Sequence, residues 1–178
     1  ADSQREGIGV IYQELALVRE MTVAENIFLG SEPRRFGLVD WNTVYQRTAE
    51  ILERFGLDLD PAATVSDLGI GQQQLVEIVK ALAKDSRLLL LDEPTAALTE
   101  TEVDILMRIL NELRSKGLTC IYISHKLDEI MRVADTITVL RDGRSVRTTP
   151  TRETTREQII QSMVGREIRE QYPKVTTP

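Results

Sequence analysis

Asp92 and Glu93 stand side by side at the end of the run Arg87-Leu88-Leu89-Leu90-Leu91, and Pro94-Thr95 follows. Two adjacent carboxylates can divide a hydrolytic task. One enters the shell of a divalent cation, and the other polarises an attacking water. Four leucines bounded by charge predict a strand buried on both faces. Open α/β sheets place their ligands outside the carboxyl ends of such strands, and Pro94 stops this one. On these residues alone, an apolar strand running into an acidic turn also fits.

Three further pieces bear chemistry. Gln13 ends the short apolar run Gly7-Ile8-Gly9-Val10-Ile11-Tyr12. Gly69-Ile70-Gly71-Gln72 opens a helical pattern shortly before the acidic strand. His125 follows a second apolar run, Leu118 to Ile123. Taken singly, His125 reads as a surface or capping histidine and Gly69-Ile70-Gly71 as a turn. Together, in this order and spacing, they form a specific pattern.

The elements that must position these residues are legible. Gly7–Tyr12 predicts a short buried strand. Thr22-Val23-Ala24-Glu25 is a capping box that starts a helix through Ile27, Phe28 and Leu29 and ends at Gly30. Residues 31–40 read as a loop. A second helix runs from near Asp40 to Phe55, with Val44, Ile51, Leu52 and Phe55 on one face and Gly56 past its end. Residues 58–66 connect it to a third helix, whose buried face is Leu75, Ile78, Val79 and Leu82. After the acidic strand, Thr99-Glu100-Thr101-Glu102 is another capping box, for a helix carrying Val103, Leu106, Met107, Leu110 and Leu113 and ended by Gly117. Leu118 to Ile123 predicts a second buried strand, and a helix with Leu127, Ile130 and Met131 follows. Thr136 to Leu140 is a strand, and Asp142-Gly143 signals a hairpin into Arg144–Thr148. Thr155-Arg156-Glu157-Gln158 caps a last helix ended by Gly165, and residues 168–178 read as a linker. Strands alternating with helices over 87–140 indicate a parallel sheet covered by helices. Residues 15–84 form a mainly helical subdomain.

Composition narrows the class. The 178 residues are 42% hydrophobic and 28% charged, ordinary for a globular protein with a real core. The net charge of −6 argues against nucleic acid as a partner. Cys120 is the single cysteine, so no disulfide framework exists, and its apolar surroundings predict a buried structural thiol. No apolar run approaches the length of a membrane span, and no signal peptide is visible. The start, Ala1-Asp2-Ser3 without Met, points to a processed or shortened chain.

The order of these pieces resembles the ATP-binding-cassette (ABC) ATPases: Q-loop, signature, Walker B, D-loop and H-loop. More narrowly, it resembles the first nucleotide-binding half of the tandem ATPase subunits of bacterial monosaccharide importers of the ribose, xylose and galactose type. The residues that carry it are Tyr12-Gln13-Glu14-Leu15, Thr22 to Gly30, Gly71 to Ile78, and Leu91 to Thr99, with Met163 to Glu167 and Tyr172-Pro173 resembling the exit toward a second half. The resemblance implies an α/β fold: a partial P-loop NTPase core with a parallel sheet, plus an α-helical subdomain. Residues 1–14 would be the core strand and Q-loop, 15–84 the mainly helical subdomain with the signature, 85–167 the RecA-like part of the core with Walker B, D-loop and H-loop and a C-terminal hairpin and helix, and 168–178 the linker or tail.

It also implies roles. Asp92 would hold Mg²⁺, mostly through water, and Glu93 would be the general base. His125 would contact the γ-phosphate and position the water. Gln13 would reach Mg²⁺ or the water. Gly69, Ile70, Gly71 and Gln72 would present amides to the γ-phosphate of ATP held by an opposing cassette. Ala97-Leu98-Thr99 would be the D-loop crossing the dimer seam, and residues 15–40 would receive the coupling helix of a permease. The implied partners are membrane permease subunits, a second cassette and, indirectly, a periplasmic sugar-binding protein. The implied place is the cytoplasmic face of the bacterial inner membrane.

The sequence departs from the family in three places. No Gly-Lys pair occurs, so the P-loop that cradles the phosphates is missing. The family places that motif upstream of the Gln13 strand. The expectation is therefore a fragment, or a chain completed by a partner, that binds ATP poorly and does not hydrolyse it alone. Gly69 stands where the family usually has Ser, which removes one hydroxyl contact. Thr99 stands where many members carry Asp, although the sugar-importer branch often has Thr. The missing strand would leave two inner sheet edges unpaired, from which a rearranged core or self-association is expected. Two other functions remain: a soluble ABC ATPase of DNA repair or translation, and a non-catalytic interaction module. The sugar itself is not legible.

Overall fold

The computed structural model describes residues 7–12, 15–83 and 86–165. Gln13 and the tail at 168–178 therefore lie outside the described residues. The chain divides into two compact units, residues 1–125 and 126–178.

In the first unit, β1 (Ile8–Ile11), β4 (Leu88–Asp92) and β5 (Thr119–Ile123) form a parallel sheet in the order β1-β4-β5. Between β1 and β4 the chain makes α1 (Val23–Phe28), the short strands β2 (Arg34–Arg35) and β3 (Leu38–Val39), α2 (Trp41–Phe55) and α3 (Ile70–Leu82). Helix α4 (Glu100–Ser115) joins β4 to β5. The central strand pairs Ile8 to Ile11 with Leu88 to Leu91, and Leu88 to Asp92 with Thr119 to Ile123.

The helix ends follow from local chemistry. Thr22 and Glu25 cap α1 reciprocally, with the Glu25 carboxylate accepting from the Thr22 N–H at 2.7 Å. Asp40 caps α2 by accepting from the Thr43 hydroxyl and amide, which hold its carboxyl below the usual range. Gly56 closes α2 with φ +66°, a conformation glycine adopts without steric cost. Helix α1 packs on α2 and α3, and α3 also packs on β1. That double contact explains why α3 is buried almost all round, with Gln73, Gln74 and Glu77 buried beside Leu75, Val76, Ile78 and Val79.

Several expectations need correction. The four leucines of β4 are not buried on both faces: Leu89 and Leu91 are fully buried, while Leu88 and Leu90 are half-buried. In β1 only Ile11 is fully buried. The second strand is not buried either. It alternates, leaving Ile121 46% and Ile123 45% exposed, because β5 lies at one end of the strand order and pairs only with β4 among the described residues. Residues 31–40 are not simply a loop. Phe36 (φ +53°) and Gly37 (φ +85°) make a tight turn that pairs Arg34 with Val39 and Arg35 with Leu38.

The second unit holds α5 (Leu127–Val133), β6 (Thr136–Arg141), β7 (Arg144–Pro150) and α6 (Arg156–Val164). Leu127, Ile137, Val139 and Ile159 form its core. The Asp142-Gly143 turn, both residues at positive φ, sets the antiparallel ladder. The parallel sheet expected over 87–140 therefore ends at Ile123: β6 pairs with β7 in a sheet of its own, because a two-residue turn returns the chain at once.

Candidate functional site

The site is built by sheet register. Parallel pairing sets Asp92 opposite Ile123, so β4 and β5 release their next residues at the same end of the sheet. The Glu93 N–H continues the ladder by donating to the Ile123 carbonyl at 2.9 Å. Glu93 then turns at φ +50°, an uncommon conformation for a residue with a side chain. Such conformations cost about 1–3 kcal/mol and concentrate where function constrains the backbone. Two residues past Ile123, His125 Nδ1 lies 2.8 Å from Glu93 Oε1. The Glu93 side chain is 23% exposed and the imidazole 71%. A carboxylate held this way can accept a proton from water, and the imidazole has a second nitrogen, Nε2, with which to meet another group. Pro94 and Thr95, which follow Glu93, are buried. The turn is closed by Ala96 N–H donating to the Glu93 carbonyl at 3.2 Å and Leu98 N–H to the Thr95 carbonyl at 3.3 Å.

Asp92 is the last residue of β4 and half-buried. Among the described residues, no group of three or more His, Cys, Asp or Glu gathers as a cation cage. The Asp92 carboxylate is a donor of the kind Mg²⁺ takes, since that ion is commonly held by one or two carboxylates plus phosphate oxygens and water. Gln13, the other candidate ligand, lies outside the described residues.

Gly69 and Ile70 are exposed at the start of α3, whereas Gly71 is buried. Gly69 is the N-cap and has no hydroxyl, so only the returning half of a capping box forms: Gln72 Oε1 accepts from the Gly69 N–H at 3.1 Å. Gln73 Nε2 donates to the Leu68 carbonyl at 2.9 Å and ties the approach to the helix. Ala97 and Thr99 are exposed on the segment between β4 and α4.

The structure thus joins Glu93 to His125, and a second juxtaposition appears that motif reading missed. Glu102, noted only as a capping residue, lies against Gly71. Asn26 was also missed. It is fully buried, and its amide accepts from Val18 N–H at 2.8 Å and donates to the carbonyls of Val18 at 2.9 Å and Thr22 at 3.0 Å. It clips the segment that follows Gln13 onto α1. Its signal was a polar residue on the buried side of an apolar helix. Burial pushes the Cys120 thiol up, in keeping with a structural role.

No helix among the described residues is long and apolar enough to cross a membrane. The structure is similar to a solved dimeric ATP-binding cassette in a post-hydrolysis state bound to ADP and Pi. The TM-score is 0.70 at 27% identity, over 81% of this chain and 62% of that one. It is also similar to cbiO1 of Clostridium perfringens, described as part of the ABC transporter complex cbiONQ, with TM-score 0.70 and 26% identity over 88% and 62%. In sequence, the chain is 58% identical to the xylose import ATP-binding protein XylG of Moorella thermoacetica over 98% of its length. It is 55% identical to that of Geobacillus kaustophilus and 51% identical to that of Escherichia coli, each over 97% of its length. The chain spans about a third of these relatives, 34% of each. The family model described as ABC transporter matches residues 1–96, more than half of the 178, so this chain belongs to the ABC transporter family.

Proposed function

We propose that the chain is part of the ATP-hydrolysing subunit of a bacterial sugar importer, coupling ATP hydrolysis to uptake of a monosaccharide of the xylose type. The observation that carries this reading is Glu93 Oε1 at 2.8 Å from His125 Nδ1, beside Asp92 at the carboxyl end of a parallel strand pair. The relatives' names support the sugar.

In this reading Glu93 polarises the attacking water and takes its proton, while His125 orients Glu93 and presents its second nitrogen to the γ-phosphate. Asp92 and Gln13 hold the Mg²⁺ shell. The bound cation supplies neutralisation of phosphate charge. Ile70, Gly71 and Gln72 offer their amides and the positive end of α3 to ATP on a second cassette, and Gly69 joins them once Gln72 Oε1 releases its N–H. The segment Ala97-Leu98-Thr99 lies at the seam between the two cassettes.

Residues 15–40 form the docking surface for a permease at the cytoplasmic face of the membrane. Exposed Phe36 (94%) and Leu38, flanked by Arg34 and Arg35, support that use, since aromatic and arginine side chains anchor protein interfaces.

The test is Glu93→Gln in the longer protein, with ATP and Mg²⁺. Hydrolysis is expected to fall at least about 100-fold, the lower end of the worth of a general base, with ATP binding retained. Undiminished hydrolysis would overturn the reading. Stimulation by nucleic acid rather than by permease would favour a soluble ATPase instead.

A further inference from the structure

The juxtaposition of Glu102 and Gly71 links two parts of the molecule that local sequence treats as separate. Glu102 sits in the first turn of α4, where its Oε2 accepts from both the N–H and the hydroxyl of Thr99, each at 2.8 Å. The Glu102 N–H in turn donates to Thr99 Oγ1 at 3.4 Å. Four groups on two residues are thereby satisfied, and these bonds hold the carboxylate at the Thr99 turn.

That position is against the second residue of α3. A Cβ placed on Gly71 would fall 2.6 Å from Glu102 Oε1 and 2.7 Å from its Cδ, closer than a carbon can approach. Gly71 is buried although Gly69 and Ile70 beside it are exposed, and α3 and α4 are in contact. A Cβ here would push the Glu102 carboxylate aside, and with it the bonds to Thr99; the backbone itself does not demand a glycine, since its φ is not positive. The carboxylate also stands at the positive end of its own helix, which favours a negative charge.

We propose that Glu102 is a positioning residue that clamps the Thr99 turn to the first turn of α3. The segment Ala97–Thr99 and the amides of Gly69–Gln72 then move as one body. This rests on the function proposed above, in which both segments face a nucleotide held by a second cassette. The clamp decides whether those amides and that turn reach the phosphates together. It does not touch the reacting atoms.

The experiment uses the longer protein and reads two quantities. The first is a thermal-unfolding cycle of Gly71→Ala, Glu102→Ala and the double variant. Alanine is ordinarily a better helix former than glycine. Gly71→Ala is therefore expected to lower the melting temperature when Glu102 is present, and to leave it unchanged or raise it when Glu102 is alanine. An equal shift in both backgrounds would overturn the contact.

The second is steady-state hydrolysis. Glu102→Ala is expected to lower kcat about tenfold with KM within about twofold, because alignment is lost while ATP binding on the opposing cassette is not. Glu102→Gln keeps an acceptor for Thr99 and is expected to retain activity within about threefold. Glu102→Asp, one methylene short, is expected to behave like alanine. Unchanged kcat in Glu102→Ala, or equal losses in the Gln and Ala variants, would overturn the positioning role. If the unmodified protein does not hydrolyse ATP at all, the functional reading fails and the catalytic role with it, whereas the unfolding cycle still decides the clamp.

Discussion

Replacing Asn26 with aspartate changes one atom type and little volume, and the hydrogen bonds around the site set the cost. The Asn26 amide is fully buried. Its oxygen accepts from the Val18 N–H at 2.8 Å, and its nitrogen donates to the Val18 and Thr22 carbonyls at 2.9 and 3.0 Å. An ionised carboxylate keeps the first bond. It turns the other two into an oxygen facing two carbonyl oxygens. Two lost bonds at about 1 kcal/mol each, plus the penalty of an uncompensated buried charge, come to about 4 kcal/mol at neutral pH. Protonation restores one donor and removes the charge, which cuts the loss to about 1–2 kcal/mol.

The folded state therefore raises the pKa of the carboxyl group that Asn26→Asp introduces above its unfolded value of about 3.9. A raised group contributes its stability below the unfolded pKa and loses it as pH climbs through the folded pKa. At about 2–4 °C per kcal/mol for a chain of this size, the variant is expected to melt about 8–16 °C below the unmodified chain at pH 7. Near pH 4 the gap narrows to a few degrees. Circular dichroism melts of both chains across that range measure it, and Asn26→Ala serves as the pH-independent control. A gap of the same size at both ends, or one under about 2 °C at pH 7, would refute the clip between α1 and the segment after Gln13.

Three other expectations follow from particular residues. With no Gly-Lys pair to cradle phosphates, this chain should bind a fluorescent ATP analogue with Mg²⁺ more weakly than roughly millimolar, about 4 kcal/mol. Micromolar binding would show that other residues hold the phosphates. Among the described residues β5 pairs only with β4, and Ile121 and Ile123 are half-exposed; this chain should therefore self-associate, and Ile121→Lys should suppress it. Light scattering that shows the same monomer for both would overturn this. Burial raises the Cys120 pKa, so its thiolate fraction near neutral pH is smaller than that of an ordinary thiol. Its reaction with a thiol reagent should be slow in the native chain and accelerate in urea, and equal rates would refute it.

Much of the site was legible because its signals are local. Thr22, Thr99 and Thr155 announce their helices by hydrogen bonds spanning three residues, and each box forms. The leucine run and Pro94 mark where β4 delivers Asp92 and Glu93. Asp142-Gly143 encodes a turn by the φ it demands. Burial was less legible, because four leucines look alike whether one or both faces are covered. Only the strand order shows that β5 is an end strand among the described residues and that β6 belongs to a different sheet.

The sequence by itself determined the helices and the longer strands, the residue types at the chemistry and their order along the chain, since capping, turn preference and apolar periodicity act over a few positions. Tertiary structure alone decided what meets across distance. Parallel register puts Asp92 opposite Ile123 and so brings Glu93 to His125, thirty-two positions away. The packing of α3 on α4 presses Glu102 onto a glycine thirty-one positions earlier. The physical reason is that such contacts are set by how whole faces of helices and strands bury their apolar area, a choice no short stretch of sequence makes on its own.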